Sequence, residues 1–320
     1  MAPPTVVLLG PQKPKSVLHS TVADITGSSA QPLAVITAGW QEDENDVAEL
    51  DAQLGRPTRN LALYQRSDLV FAKYPQFRAG LWERKALLDQ MHAGYKVQLA
   101  GALDSIRTLQ EVESDNPAVL SPYLADAIAT LQEIDRRHFE RMAQVTAEFD
   151  SDQGYGANSE IVRHREEIRQ IIEGSSALLV AGGHVLVLLN RLRIFAIAEL
   201  LTQIPVIGWS AGAMALSERV VLFHHFPAQG SNNTAVAAAG VGIAPGIVPF
   251  PNARHRLDLD SPGRVALLAR RFAPARCIAL DAGQRVDWDG QQWHGHGTSD
   301  SAPRLLTPAG DAVPLEGSCP

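Results

Sequence analysis

The sequence predicts an α/β fold, a Rossmann-like, mostly parallel sheet flanked by helices and interrupted by an α-helical insertion. Two observations predict it. Short apolar runs alternate with helical stretches up to about residue 66 and again after 174. That order suits a parallel sheet covered on both faces. Between the two regions, apolar residues recur every three or four positions, the signature of long amphipathic helices.

The elements follow in order. Residues 5–9 read as a buried strand ending in Gly10-Pro11, 33–37 as a second ending in Ala38-Gly39, and 61–64 as a third. Helices fall between them at about 14–26 and 44–54. In the insertion, Leu88, Met91, Tyr95, Leu99, Leu103, Ile106 and Leu109 mark one long helix, and Leu124, Ile128, Leu131, Phe139, Met142, Val145 and Phe149 a second. Ser121-Pro122 is a start signal for the second, a serine cap followed by proline in the first turn. Residues 114–121 read as a turn, 150–158 as a loop, and 159–173 as a third helix ending at Gly174. Strands at 177–181, 205–208, 220–223 and 277–280, a helix over 184–202 and a hairpin around Asp289-Gly290 complete the sheet. The chain thus divides into an α/β domain of 1–66 and 174–306, a helical insertion of 67–173, and an irregular tail of 307–320.

Composition narrows the function classes. The chain has 320 residues, 45% hydrophobic and 20% charged, with a net charge of -7. Such a chain folds, and no run of Lys or Arg exceeds a pair, so no nucleic-acid partner is expected. Two cysteines, Cys277 and Cys319, suit a reduced, cytoplasmic setting. The N-terminus lacks the basic start of a signal peptide. The longest apolar run, 177–189, is interrupted by Gly182, Gly183 and His184, so no membrane partner is expected.

The chemistry centres on Ile207-Gly208-Trp209-Ser210-Ala211-Gly212-Ala213, which contains G-x-S-x-G between an apolar strand and an Ala-rich helix. A nucleophile elbow needs that context: a sharp turn lifts one side chain above the sheet, and small neighbours let the backbone pass. Val180-Ala181-Gly182-Gly183-His184 is a second strand end with a glycine pair. Amides of Gly183 and Ala211 are candidate oxyanion donors, and His184 a candidate substrate contact.

These segments, with Gly240-Val241-Gly242-Ile243-Ala244-Pro245-Gly246, resemble the cyanophycinase and aspartyl dipeptidase family of serine peptidases. The resemblance covers 175–282 well and 1–66 loosely, and leaves out the helical block. It implies a class I glutamine amidotransferase-like fold and a Ser-His-acid site. Serine at the elbow, where true amidotransferases carry cysteine, argues against glutamine hydrolysis through a thioester.

The base is the open question. Counted from Pro245-Gly246, the family's histidine seat falls near Asn252, whose amide is no general base. Anchored on Gly263-Arg264-Val265, the seat falls on His255. His225 is a further alternative, and Glu218 or Asp258 a candidate orienter. Arg254 and Arg256, with Arg264 beyond them, suit a carboxylate-bearing substrate. Neither His224-His225 with His255 nor His294-Gly295-His296 has the spacing of a metal site. The expectation is a serine hydrolase in which Ser210 attacks a peptide or isopeptide-like amide and His255 takes the proton. It needs no metal or other cofactor. The rival expectation is a relative that keeps the fold and binds without cleaving. The insertion is expected to cap the site or to join two copies in a homodimer.

Overall fold

The computed structural model describes residues 6–153, 158–201, 204–223, 234–315 and 317. Its elements in chain order are β1 (Val6–Leu9), α1 (Leu18–Thr26), β2 (Leu33–Ile36), α2 (Ala48–Leu54), β3 (Thr58–Asn60), α3 (Leu63–Lys73), α4 (Pro75–Glu111), α5 (Pro117–Gln153) and α6 (Ser159–Glu173). There follow β4 (Leu178–Val180), α7 (Val185–Ile194), β5 (Val206–Trp209), α8 (Ala211–Leu216), β6 (Arg219–Leu222), β7 (Ala235–Ala239), β8 (Ile247–Pro251), α9 (Ala253–Arg256) and α10 (Pro262–Arg271). The chain closes with β9 (Arg276–Leu280), β10 (Arg285–Trp288), β11 (Trp293–His296), β12 (Arg304–Leu306) and β13 (Ala312–Pro314).

The main sheet runs β11-β10-β1-β5-β4-β2-β3. Its five strands from β1 to β3 are parallel, and β10 and β11 add an antiparallel hairpin at one edge. Alternation along each strand splits the side chains between two cores. Val6, Leu8, Ala34, Ile36, Leu178, Val180 and Val206 face one, and Val7, Leu9, Leu33, Val35, Leu179, Ile207 and Trp209 the other. The α/β class predicted above is the class observed. A second sheet, β13-β12-β9-β8, and the β6-β7 hairpin stand beside it.

Several expectations need correction. Residues 61–64 are not a strand: β3 ends at Asn60, whose side chain accepts the Ala62 N–H at 3.0 Å and turns the chain. The buried Glu44 carboxylate then receives the amides of Tyr64 and Gln65 at 2.8 and 2.9 Å, which caps α3 instead. The second long helix starts at Pro117, not at Ser121-Pro122, because Asn116 takes the Ala118 N–H at 3.2 Å and Pro117 fills the first helical position. It runs on to Gln153, into the span expected as a loop. The helix expected over 184–202 stops at Ile194, where Phe195 caps it and Ala196 turns left-handed at φ 45°. The tail is not wholly irregular, since β13 pairs with β12 and buries Leu315 behind it.

Helices α4 and α5 form an antiparallel hairpin whose inner face is tied to the α/β domain by a buried polar cluster. Arg271 of α10 meets Asp135 of α5 through two bonds, Nε to Oδ2 at 2.6 Å and Nη2 to Oδ1 at 2.8 Å. Tyr95 of α4 donates to Asp135 Oδ1 at 2.8 Å and accepts from Arg271 Nη2 at 3.1 Å. The cluster also holds the main chain beside β7: Arg271 Nη1 donates to Thr234 O at 2.7 Å, and the Val236 N–H donates to the Tyr95 hydroxyl at 3.1 Å. His138 stacks on Tyr95 with ring centroids 4.0 Å apart, and His92 Nδ1 lies 3.4 Å from His138 Nε2.

Burial holds the His138 imidazole down to about 4, and the neighbouring His92 adds to the effect. The pH dependence follows. Between its ordinary value near 6.5 and about 4 the unfolded chain binds a proton there that the folded chain refuses. Stability therefore falls as pH drops through that window, by up to ~1.4 kcal/mol per pH unit from this group. A His138→Phe variant, which keeps the stack, is expected to flatten that part of the urea-denaturation profile between pH 7 and 4.

Candidate active site

The elbow is built by close backbone approach. β5 ends at Trp209, and Ser210 follows at φ 51° and ψ −121°, a conformation that costs a non-glycine residue strain. The Ser210 N–H donates to Leu9 O at 3.1 Å, which pins the turn to β1. Two glycines make room. A Cβ on Gly182 would lie 2.9 Å from the Ser210 Cβ, and a Cβ on Gly212 would lie 2.1 Å from Val180 O. The motif's glycine spacing thus has a steric cause: the first turn of α8 rests on the main chain at the end of β4. Gly212→Ala is accordingly expected to lose about 1–3 kcal/mol of stability in chemical denaturation, since Val180 O is backbone and cannot swing aside.

Ser210 opens on a cavity of about 580 Å³ at the C-terminal ends of the parallel strands, where open α/β sheets place their ligands. Gly183, His184, Ala211, Asn252 and Arg256, all expected at the site, line it with Ser210. Gly183 has φ 108°. His184 caps α7, its Nδ1 accepting the Val187 N–H at 3.3 Å. That bond leaves the proton of the neutral ring on Nε2, so this imidazole serves the cavity as a donor.

Asn252 sits at the end of β8 in the left-handed region, φ 61° and ψ 40°, with its N–H on Leu280 O at 3.0 Å. Asparagine tolerates that conformation better than most residues. His255 and Arg254 share the single-turn helix α9 with Arg256. Their side chains are exposed and are not part of the cavity lining. Glu218 is exposed too, and its Oε2 receives the Gly246 N–H at 3.3 Å in the turn before β8. His225, and His224 beside it, lie outside the described residues.

One acid escaped the sequence reading. Asp281, just beyond β9, accepts the Arg254 N–H on Oδ1 at 3.1 Å and lies 3.7 Å from Arg254 Nε through Oδ2. It stands where β8 and α9 meet, beside the Asn252 turn. The signal was an acid at a strand end before Ala282-Gly283. The apolar walls, Met214, Leu222 and Phe223 among them, also went unpredicted as site residues. Among the described residues no three His, Cys, Asp or Glu side chains gather as a metal site would need, and no helix is long and apolar enough to cross a membrane.

Neither a family model nor a curated protein sequence matches the chain. Among solved structures, a peptidase from an acI-B1 Actinobacterium is similar to it, at 14% identity and a TM-score of 0.46, with 98% of this chain and 94% of that one covered.

Proposed function

We propose that the chain is a serine hydrolase of the cyanophycinase-like kind, acting on a peptide or isopeptide-like amide in the cytoplasm. The observation that carries this reading is Ser210, held at φ 51° and ψ −121° between strand and helix and open to the cavity. Strain of that sort persists where the surrounding structure enforces it, and it gathers at functional sites. In this reading Ser210 Oγ bonds to the amide carbon while the oxygen takes up charge against the amides of Gly183 and Ala211. The C–N bond then breaks and the amine leaves with the proton lost from Oγ. Water cleaves the resulting ester and regenerates the serine. The proton passes through His255, exposed on α9 one residue before Arg256, which lines the cavity. No cofactor enters this route.

A second reading has its own observation: an amide, Asn252, and not an imidazole lines the cavity at the end of β8. On that reading the pocket binds its ligand without cleaving it.

Labelling with a fluorophosphonate probe, read by intact mass, separates the two. The hydrolase reading expects one adduct, lost in Ser210→Ala and slowed in His255→Ala. A folded protein that stays unlabelled from pH 6 to 9 would overturn it in favour of binding.

A further inference from the structure

The cavity lining is asymmetric in charge. Its walls are apolar, with Val185, Leu186, Met214, Leu222 and Phe223 facing the space in front of Ser210. Among the described residues, no Asp or Glu lines it. Among the described residues that line it, the one full charge is Arg256, exposed at the lip and without an ion-pair partner among them. His184 adds a donor, because its Nδ1 is already engaged by the Val187 N–H. Such a lining solvates an anion at one end and nothing charged along its walls. A carboxylate or ammonium side chain laid against those walls loses water and gains no counter-charge. A carboxylate at the lip gains a charge-assisted hydrogen bond from a free guanidinium.

We propose, building on the hydrolase reading, that the pocket selects a short peptide with an uncharged apolar residue beside the scissile carbonyl and a free carboxylate on the leaving side. Apolar walls take the side chain, and Arg256 takes the carboxylate. Selection of this kind is a property of binding, so it is tested apart from cleavage.

The test is calorimetric titration of the Ser210→Ala protein with N-acetyl-Leu-Ala, N-acetyl-Asp-Ala, N-acetyl-Lys-Ala and the C-terminal amide of N-acetyl-Leu-Ala. The leucyl acid is expected to bind at least about tenfold more tightly than each of the others. Arg256→Gln, an exposed change that leaves the core alone, is expected to erase the preference of acid over amide and keep that of Leu over Asp and Lys. Leu222→Asp is expected to shift preference toward the lysyl peptide. Equal binding of acid and amide, preference for the aspartyl peptide, or no binding by any of the four overturns the proposal. The fluorophosphonate result on the unmutated protein stands separately: selective binding with an unreactive Ser210 would overturn hydrolysis and leave the selectivity standing.

Discussion

Arg271→Met is expected to cost about 3–5 kcal/mol of folding stability. The side chains of Arg271 and Asp135 are 1% and 4% exposed, so removing the guanidinium leaves a carboxylate in the interior with, among the described residues, only the Tyr95 hydroxyl bonded to it. Thr234 O loses its donor as well. Asp135→Leu is expected to cost a similar amount for the mirror reason. The double variant Arg271→Met/Asp135→Leu is expected to recover most of the loss, because no lone charge then remains buried. Urea denaturation of the three variants measures this. Additive losses in the double variant would show that the ion pair does not act as a unit.

The same cluster reaches the pocket. Leu222, which lines the cavity, pairs with Ala235 across the β6-β7 hairpin, and the cluster holds Thr234 and Val236 on either side of that partner. The insertion is therefore fastened to the strand that backs one wall of the site. The double variant restores charge balance but not the bond to Thr234 O. Hydrogen exchange in β7 is expected to stay faster in it than in the unmutated protein even where global stability recovers.

What could be read in the sequence and what could not divide along physical lines. The parallel strands were legible because burial on both faces leaves near-continuous apolar runs, such as Val6–Leu9 and Leu33–Ile36. The long helices were legible from spacing, and α6 to its last residue, because Asn158 and Gly174 mark its ends. The elbow was legible because its glycines answer to local sterics. Leu61 and Leu63 misled because they are fully buried without being strand residues: a cap from Glu44, seventeen or more positions earlier, sets the helix there. Strands β7 and β8 were missed because Ala235–Ala239 and Ile247–Pro251 lack the usual signals, the one rich in alanine and the other holding two prolines. At the site, Ser210, Gly183, His184, Ala211, Asn252 and Arg256 come together around one cavity. Asp281 and the Tyr95-Asp135-Arg271 cluster could not be found from spacing, since each joins segments far apart in the chain.

In a His255→Ala background, Asn252→His is expected to raise the rate of fluorophosphonate labelling at Ser210 by about 100-fold, the low end of what a positioned general base contributes. The argument is one of place. His255 carries its ring outside the cavity lining, whereas residue 252 is part of that lining together with Ser210. The backbone there accepts the change: the N–H on Leu280 O is a main-chain bond that any residue but proline keeps, and histidine is among the residues enriched at positive φ. The Asp281 carboxylate, already on the Arg254 N–H two residues further on, supplies a negative charge near the new imidazole, which favours its protonated form as the proton leaves Oγ. Asn252→Ala serves as control, since it alters the same position without adding a base, and Asn252→His with Ser210→Ala must stay unlabelled. An Asn252→His protein labelled no faster than its parent would mean that position 252 faces the cavity without reaching Oγ. With His255 intact as the proposed base, the same substitution is expected to gain less than about tenfold, since Ser210 is then already served.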